Sequence, residues 1–369
     1  MERVRFTSLD VFRGLTIFLM IVVNTQGAGA APFPILEHAE WFGFTAADIV
    51  FPSFLFATGN ALAFGGRKDM PEGEFWLKTL RRTAIIFGLG VLLYWFPYVE
   101  HTAAGWAMKP FADTRLLGVL QRIALCYCFA AIAARYLGVR GLLALSAVLL
   151  LGYWAVLMQF GPAGLQLTKT GNFGNVVDLA VLGKSHIYMG DEGFEPEGIL
   201  GTLPATVNVI FGYLAGLYIR KHTPSRFVMN RFIAAGVGLI VAALLWNMVF
   251  PIGKKLWTSS FVFLTVGVDL IVLAGLMAWI DLGKQKFGVR FFEIFGRNPL
   301  FIYLFAELFV SALWLIPVGG SDVWTWFGKS LVQPIIPGAL GALVCGIAYT
   351  LVCWLVAWVL DKNKIVIKV

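Results

Sequence analysis

Apolar residues in this chain gather into long runs separated by short polar stretches, with no sustained strand-like alternation. A run of roughly 20 apolar residues is long enough to cross a bilayer as a helix. Ten such runs predict ten transmembrane helices, over approximately 9–26, 45–65, 79–98, 116–136, 141–160, 200–220, 229–250, 257–280, 292–315 and 336–360. The polar stretches between them differ by side. With the N-terminus taken as cytoplasmic, 20 of the 29 Lys and Arg fall in the short loops on that side and seven on the other, which orients both termini inward. The loops on the far side, 27–44, 99–115 and 161–199, are longer and hold most of the acids, including Asp178, Asp191, Glu192, Glu195 and Glu197. Long loops in a compact protein are often functional, and an acidic mouth suits a cationic or amine-bearing substrate. No internal repeat, low-complexity tract or soluble segment interrupts the pattern. The fold expected is an all-α polytopic bundle forming one transmembrane unit over 1–369.

Composition reinforces that class. The chain is 59% hydrophobic and 14% charged, with a mean hydropathy of +0.79, where soluble domains average about 45–50% apolar and about 25% charged. The first span has no small-residue cleavage site after it, so it reads as a retained helix and not a signal peptide. A net charge of +8 invites a nucleic-acid reading, but the basic residues lie in orienting loops, so no nucleic-acid partner is expected. Cys126, Cys128, Cys345 and Cys353 all sit in apolar runs, without metal-ligand spacing and without the look of a disulfide framework. Gly and Ala in the spans permit close helix packing, and a homodimer through such a face is compatible with them.

Ionisable groups at a bilayer are expensive and point to function. Glu37-His-Ala-Glu-Trp-Phe-Gly-Phe-Thr-Ala-Ala-Asp-Ile-Val-Phe-Pro52 concentrates several beside the second span. His38 can exchange a proton near neutral pH, as a base or as a nucleophile. Asn24, at the outer end of the first span, can donate to a developing oxyanion or satisfy its own helix end. Asp48 is either a helix N-terminal acid or a carboxylate orienting His38 or a substrate amine. Asp10 and Arg13 share a helix face at i, i+3, as an ion pair or as a phosphate site at the cytoplasmic mouth. Arg122, inside an apolar run, needs an acid or a bound phosphate, and the same logic covers Lys255 and Asn298. Asp269 and Glu307 fall mid-span, as partners for Arg122 or Arg297 or as a proton relay. Trp41 and Trp257 offer faces on which a sugar or an adenine could stack. No Walker loop, dinucleotide-binding glycine motif or nucleophile elbow is present, and no metal site is expected.

The His38–Pro52 segment also resembles the His-Ala-x-Trp-x-Gly-x-Thr-x-Ala-Asp segment of the transmembrane acetyltransferases related to heparan-α-glucosaminide N-acetyltransferase. The likeness continues in family order. It runs through Ser8-Leu-Asp-Val-Phe-Arg-Gly14, Asn24, Leu120-Gln-Arg-Ile-Ala124, Gly174-Asn, Asp178 and Gly183-Lys-Ser-His-Ile-Tyr188. It ends with Glu195-Pro-Glu-Gly-Ile-Leu-Gly-Thr-Leu-Pro204, Lys255-Leu-Trp-Thr-Ser-Ser260 and Gly296-Arg-Asn298. The bacterial NagX-type branch is the most similar. The resemblance implies transfer of acetyl from cytosolic acetyl-CoA to the amine of a glucosamine-type sugar across the bacterial inner membrane. His38 and Asn24 match the family's proposed active residues, and Asp48 stands closest to its aspartate. Arg13, Arg122, Lys255, Trp257 and Asn298 would then meet the donor, while Trp41, Asp178 and Glu197 would meet the sugar. Glu195 replaces the family's usual aspartate. The lysosomal members carry a luminal domain before the first span, whereas this sequence opens on the span, so an amino sugar smaller than heparan sulfate is expected. Two alternatives stay open: an amino-sugar transporter coupled through Asp269, Glu307 and Arg122, and an O-acyltransferase acting on a periplasmic glycan.

Overall fold

The computed structural model describes residues 6–66, 70–102 and 105–367. Helices dominate. The long ones are α1 (Thr7–Thr25), α2 (Ala46–Ala63), α3 (Glu72–Trp95), α4 (Val119–Tyr136) and α5 (Val139–Phe160). A short α6 (Phe173–Leu182) precedes α7 (Thr202–His222), α8 (Arg226–Trp246) and α9 (Ser259–Leu276). The chain ends with α10 (Val289–Arg297), α11 (Pro299–Leu315), the single turn α12 (Val323–Trp326) and α13 (Ala339–Lys362). Two antiparallel hairpins are the only strands among the described residues: β1 (Val99–Thr102) with β2 (Gly105–Met108), and β3 (Pro317–Val318) with β4 (Ser321–Asp322).

Eight of these helices are long and apolar enough to cross a membrane, and nine if α10 and α11 form one bent span. The third and ninth expected runs are the two that do not pass as single apolar helices. The third is α3, a 24-residue helix that starts at Glu72, so every stretch of 18 residues in it includes Lys78, Arg81 and Arg82. The ninth run is not continuous either. Asn298-Pro299 breaks it into α10 and α11 at 83°, because proline has no N–H to continue the ladder and fits only the first turn of a new helix. The 161–199 stretch, read as a loop, contains α6, whose start is capped by the Asn172 side chain accepting from Asn175 N–H.

Packing sorts the helices. α2, α4, α7 and α9 bury 67–78% of their spans and form the centre, while α5 and α8 bury only 28% and 22% and face outward. α2 crosses α7 at close range. A Cβ on Gly59 would stand 2.0 Å from the Val209 carbonyl oxygen, and one on Gly212 would stand 2.0 Å from that of Phe56. Small residues at such crossings let backbones approach in a membrane, where apolar burial alone does not drive association. The four cysteines are buried free thiols.

The chain ends meet at one end of the assembly. Arg13 Nε donates to the Gly296 carbonyl at 2.8 Å, and Arg297 and Arg290 both pair with Asp361 at the end of α13. The Asn298 carboxamide holds the segment after α13, donating to Ile365 O at 3.0 Å and accepting from Ile367 N at 2.8 Å. Of the charges used to orient the chain, Arg3, Arg5, Arg67, Lys68 and Lys368 lie outside the described residues.

Candidate active site

Opposite that end, a cavity of about 460 Å³ opens among helix ends that the alternating topology brings together. The last turns of α1 supply Met20, Val23 and Asn24, and the first turns of α2 supply Ala47, Val50 and Phe51. Tyr94 ends α3, Arg115 and Val119 precede and open α4, and Glu197 precedes α7. Lys254 and Lys255 precede α9, and Tyr303 and Glu307 project from the middle of α11. The cavity therefore reaches from the ends of α1–α4 to the middle of α11.

His38 stands in the wall of this cavity, 43% exposed. The local sequence explains its position. Thr45 is the N-cap of α2 and Asp48 its third residue, and together they form a reciprocal cap in which the Asp48 carboxylate takes the Thr45 N–H at 3.0 Å. The same carboxylate accepts from Ala39 N–H at 3.1 Å and bonds His38 Nδ1 at 2.9 Å. Asp48 is thus both readings at once, a helix cap and the group that orients the histidine. A carboxylate saturated with donors has no proton to give, so the network assigns the hydrogen to His38 Nδ1 and leaves Nε2 with the lone pair. Lys254 Nζ lies 3.1 Å from that Nε2, 3.0 Å from Nδ1 and 3.6 Å from Asp48 Oδ1. Burial pulls the Lys254 ammonium below the ordinary lysine range, with Asp48 and Glu197 only partly offsetting it.

Asn24 and Glu307 form the second polar pair of the cavity. Asn24 Nδ2 donates to Glu307 Oε1 at 2.8 Å. One N–H and the carbonyl oxygen of Asn24 stay available to a ligand.

Around the mouth, charges are paired. Arg115 lies between the rings of Tyr94 and Tyr188, 4.9 and 4.7 Å from their centres, and bonds both Glu195 and Glu197. Burial would raise the Glu197 carboxyl, but Arg115, Arg122 and Lys254 outweigh it and hold it below the usual range, while burial wins at Glu195 and raises it. Lys255 pairs with Asp191 at 2.8 Å, and Lys169 pairs with the same carboxylate at 2.9 Å, which overcomes burial and lowers the Asp191 pKa.

Of the other expected residues, only Glu307 lines the cavity. Arg122 is 1% exposed, gives Nη2 to the Gly198 carbonyl at 3.1 Å and covers the Trp257 ring at 4.9 Å, with Nε and Nη1 bonded to nothing among the described residues. Trp257 donates to Asn208 at 3.1 Å. Asp178 sits behind the Glu195–Gly201 segment and accepts from Ile199 N–H at 2.8 Å, its carboxyl pushed up to about 6 by burial. Trp41 donates to Leu167 O at 2.8 Å and packs edge-on against Phe194. Arg13 bonds Asp10 at 2.8 Å at the opposite end, where Asn298 also lies. Asp269 and Glu307 pair with neither Arg122 nor Arg297: Asp269 takes the Ser53 hydroxyl, and Glu307 takes Asn24. Among the described residues, no three His, Cys, Asp or Glu are grouped to hold a metal ion.

Sequence reasoning singled out Lys255 and passed over Lys254. Adjacent residues in one turn point different ways, and only the fold shows which of the two meets His38. The one signal of Arg115 in the sequence is its position next to an apolar run.

The chain is 26% identical to the human heparan-alpha-glucosaminide N-acetyltransferase and 24% identical to that of Mus musculus, in each case over 94% of its own length and 59% of the relative's. It thus spans about three-fifths of the curated relatives it matches. The family model described as an acyltransferase domain matches residues 6–359. The chain is therefore a multi-pass membrane protein that belongs to the acyltransferase-domain family.

Proposed function

We propose that this enzyme moves acetyl from acetyl-CoA, supplied on the cytoplasmic side, to the amine of a glucosamine-type sugar on the periplasmic side of a bacterial inner membrane. The observation that carries the reading is the Asp48–His38 pair, with Lys254 against the imidazole, in the wall of a cavity that Asn24 shares. The reacting end of the donor fits this chain, because the cavity has the volume for a thioester and part of its arm. The charge bias of the loops supports cytoplasmic termini, which puts the cavity mouth outside.

In this reading a neutral acceptor amine attacks the thioester carbonyl carbon. The C–N bond forms, the C–S bond breaks, and the amine's proton passes to His38 Nε2 and then to the leaving thiolate. Asp48 keeps the imidazole in the tautomer that can do this and stabilises it once charged. The free N–H of Asn24 meets the carbonyl oxygen as charge builds there. Glu197, Asp191 and the Tyr94 and Tyr188 rings line the mouth where a cationic sugar would enter. Arg13 and Asn298, tied to backbone at the other end, serve the helix packing there.

The test is His38→Ala in detergent-purified protein. Transfer falls to background while the unfolding midpoint stays near that of the wild type. Near-normal turnover would remove the histidine mechanism.

A further inference from the structure

We propose that Lys254 is an internal acetyl acceptor, modified by the enzyme itself when the acyl donor is bound and no sugar is present. The inference rests on the acetyl-transfer reading above and adds a covalent site to it. An acceptor amine must come within hydrogen-bond reach, about 2.6–3.2 Å, of the base that takes its proton. The protein already holds an amine there. Lys254 Nζ stands 3.1 Å from His38 Nε2, in the wall of the same cavity and 16% exposed. Four groups set its charge. His38 contacts it directly, and Asp48 at 3.6 Å and Glu197 favour the ammonium. Burial and the neighbouring Lys255 favour the neutral amine that can attack.

The step balances. The Nζ lone pair attacks the thioester carbonyl carbon, the new C–N bond forms and the C–S bond breaks. The proton lost by Nζ passes through His38 Nε2 to the departing thiolate, giving free CoA and an amide. Because an amide does not return its acetyl to an amine under these conditions, the modified enzyme is a dead end. Acetylation removes the positive charge beside Asp48 and leaves an acetyl group against the imidazole. A bound acceptor amine competes for the same acetyl and protects the lysine. Lys255, one residue away, is a built-in control, since it pairs with Asp191 instead of His38.

The experiment incubates the full chain in detergent with deuterium-labelled acetyl-CoA, with and without glucosamine. It then follows label on Lys254 and Lys255 by fragmentation of the chymotryptic peptide that contains both. The expected result is label on Lys254 at least tenfold faster than on Lys255 and suppressed by glucosamine. Activity toward the sugar is lost in step with the fraction modified, and Lys254→Arg takes up no label in this peptide. The comparison within one peptide needs no variant to fold. Lys254 left unlabelled, or labelled no faster than Lys255, overturns the proposal. N-acetylglucosamine measured in the same aliquots separates the two ideas. Product with an unlabelled Lys254 rejects only the internal acceptor, and neither product nor label rejects the transfer reading as well.

Discussion

Replacing Asp48 with Asn isolates what the buried carboxylate does for the histidine. The side chain is fully buried and spends itself on His38 Nδ1, Ala39 N–H and Thr45 N–H. An asparagine of the same shape can keep its oxygen on the two backbone donors, so α2 stays capped. Its NH2 then faces His38 Nδ1, which must become the acceptor, and the ring hydrogen moves to Nε2. The nitrogen facing the cavity loses its lone pair and with it the base. General-base catalysis is worth about 10²–10⁴ in rate, which is about 3–5 kcal/mol of barrier at 1.36 kcal/mol per tenfold. The stability change is smaller, about 1 kcal/mol, typical of a weakened helix cap. The assay is CoA release with saturating glucosamine, with kcat and KM for acetyl-CoA, beside thermal unfolding of the same preparation. The expected result is a kcat lower by at least 10² with KM for the donor little changed. A variant within about threefold of wild-type kcat would refute the tautomer argument.

Three further outcomes follow from the packing and the mouth. Gly59→Ala drives a Cβ into the Val209 carbonyl at the α2–α7 crossing and lowers stability by about 1–3 kcal/mol or more; an unfolding midpoint equal to wild type in matched detergent would contradict it. Arg115→Leu strands Glu195 and Glu197 as buried acids, a loss of about 3–5 kcal/mol, seen as poor recovery of folded protein that Glu195→Gln in the same chain partly restores. Asp178, raised by burial from 3.8 to about 6, binds its proton more tightly folded than unfolded. Its ionisation therefore subtracts stability as pH rises from about 4 to about 6, by at most about 3 kcal/mol at pH 7. Asp178→Asn, which keeps an acceptor for Ile199 N–H, removes that part of the pH dependence in unfolding scans between pH 4.5 and 7.5.

Apolar run length carried most of the fold, because a membrane helix must satisfy its backbone internally and so needs one long uninterrupted stretch. It failed where that rule has a local exception. The Asn298-Pro299 break was visible as a dipeptide but lay inside a continuous apolar run. The charged first turns of α3 are helical through their own pairing, such as Glu74 with Lys78, and gave no hydropathy signal. At the site, His38 and Asp48 were legible because one short motif carries both. The contact between Lys254 and His38 spans 216 residues, and that between Asn24 and Glu307 spans 283, so each depends on helix packing that no local pattern encodes. Arg122 is legible as a charge inside an apolar run, and the structure sets it against a carbonyl and an indole face instead of an acid.

The most direct test is acetyl-CoA turnover by the purified full chain with and without glucosamine. The account predicts CoA release that rises with glucosamine and N-acetylglucosamine formed in equal amount. Absence of any acetyl-CoA binding, together with uptake of amino sugar by vesicles containing the protein, would contradict it and favour transport.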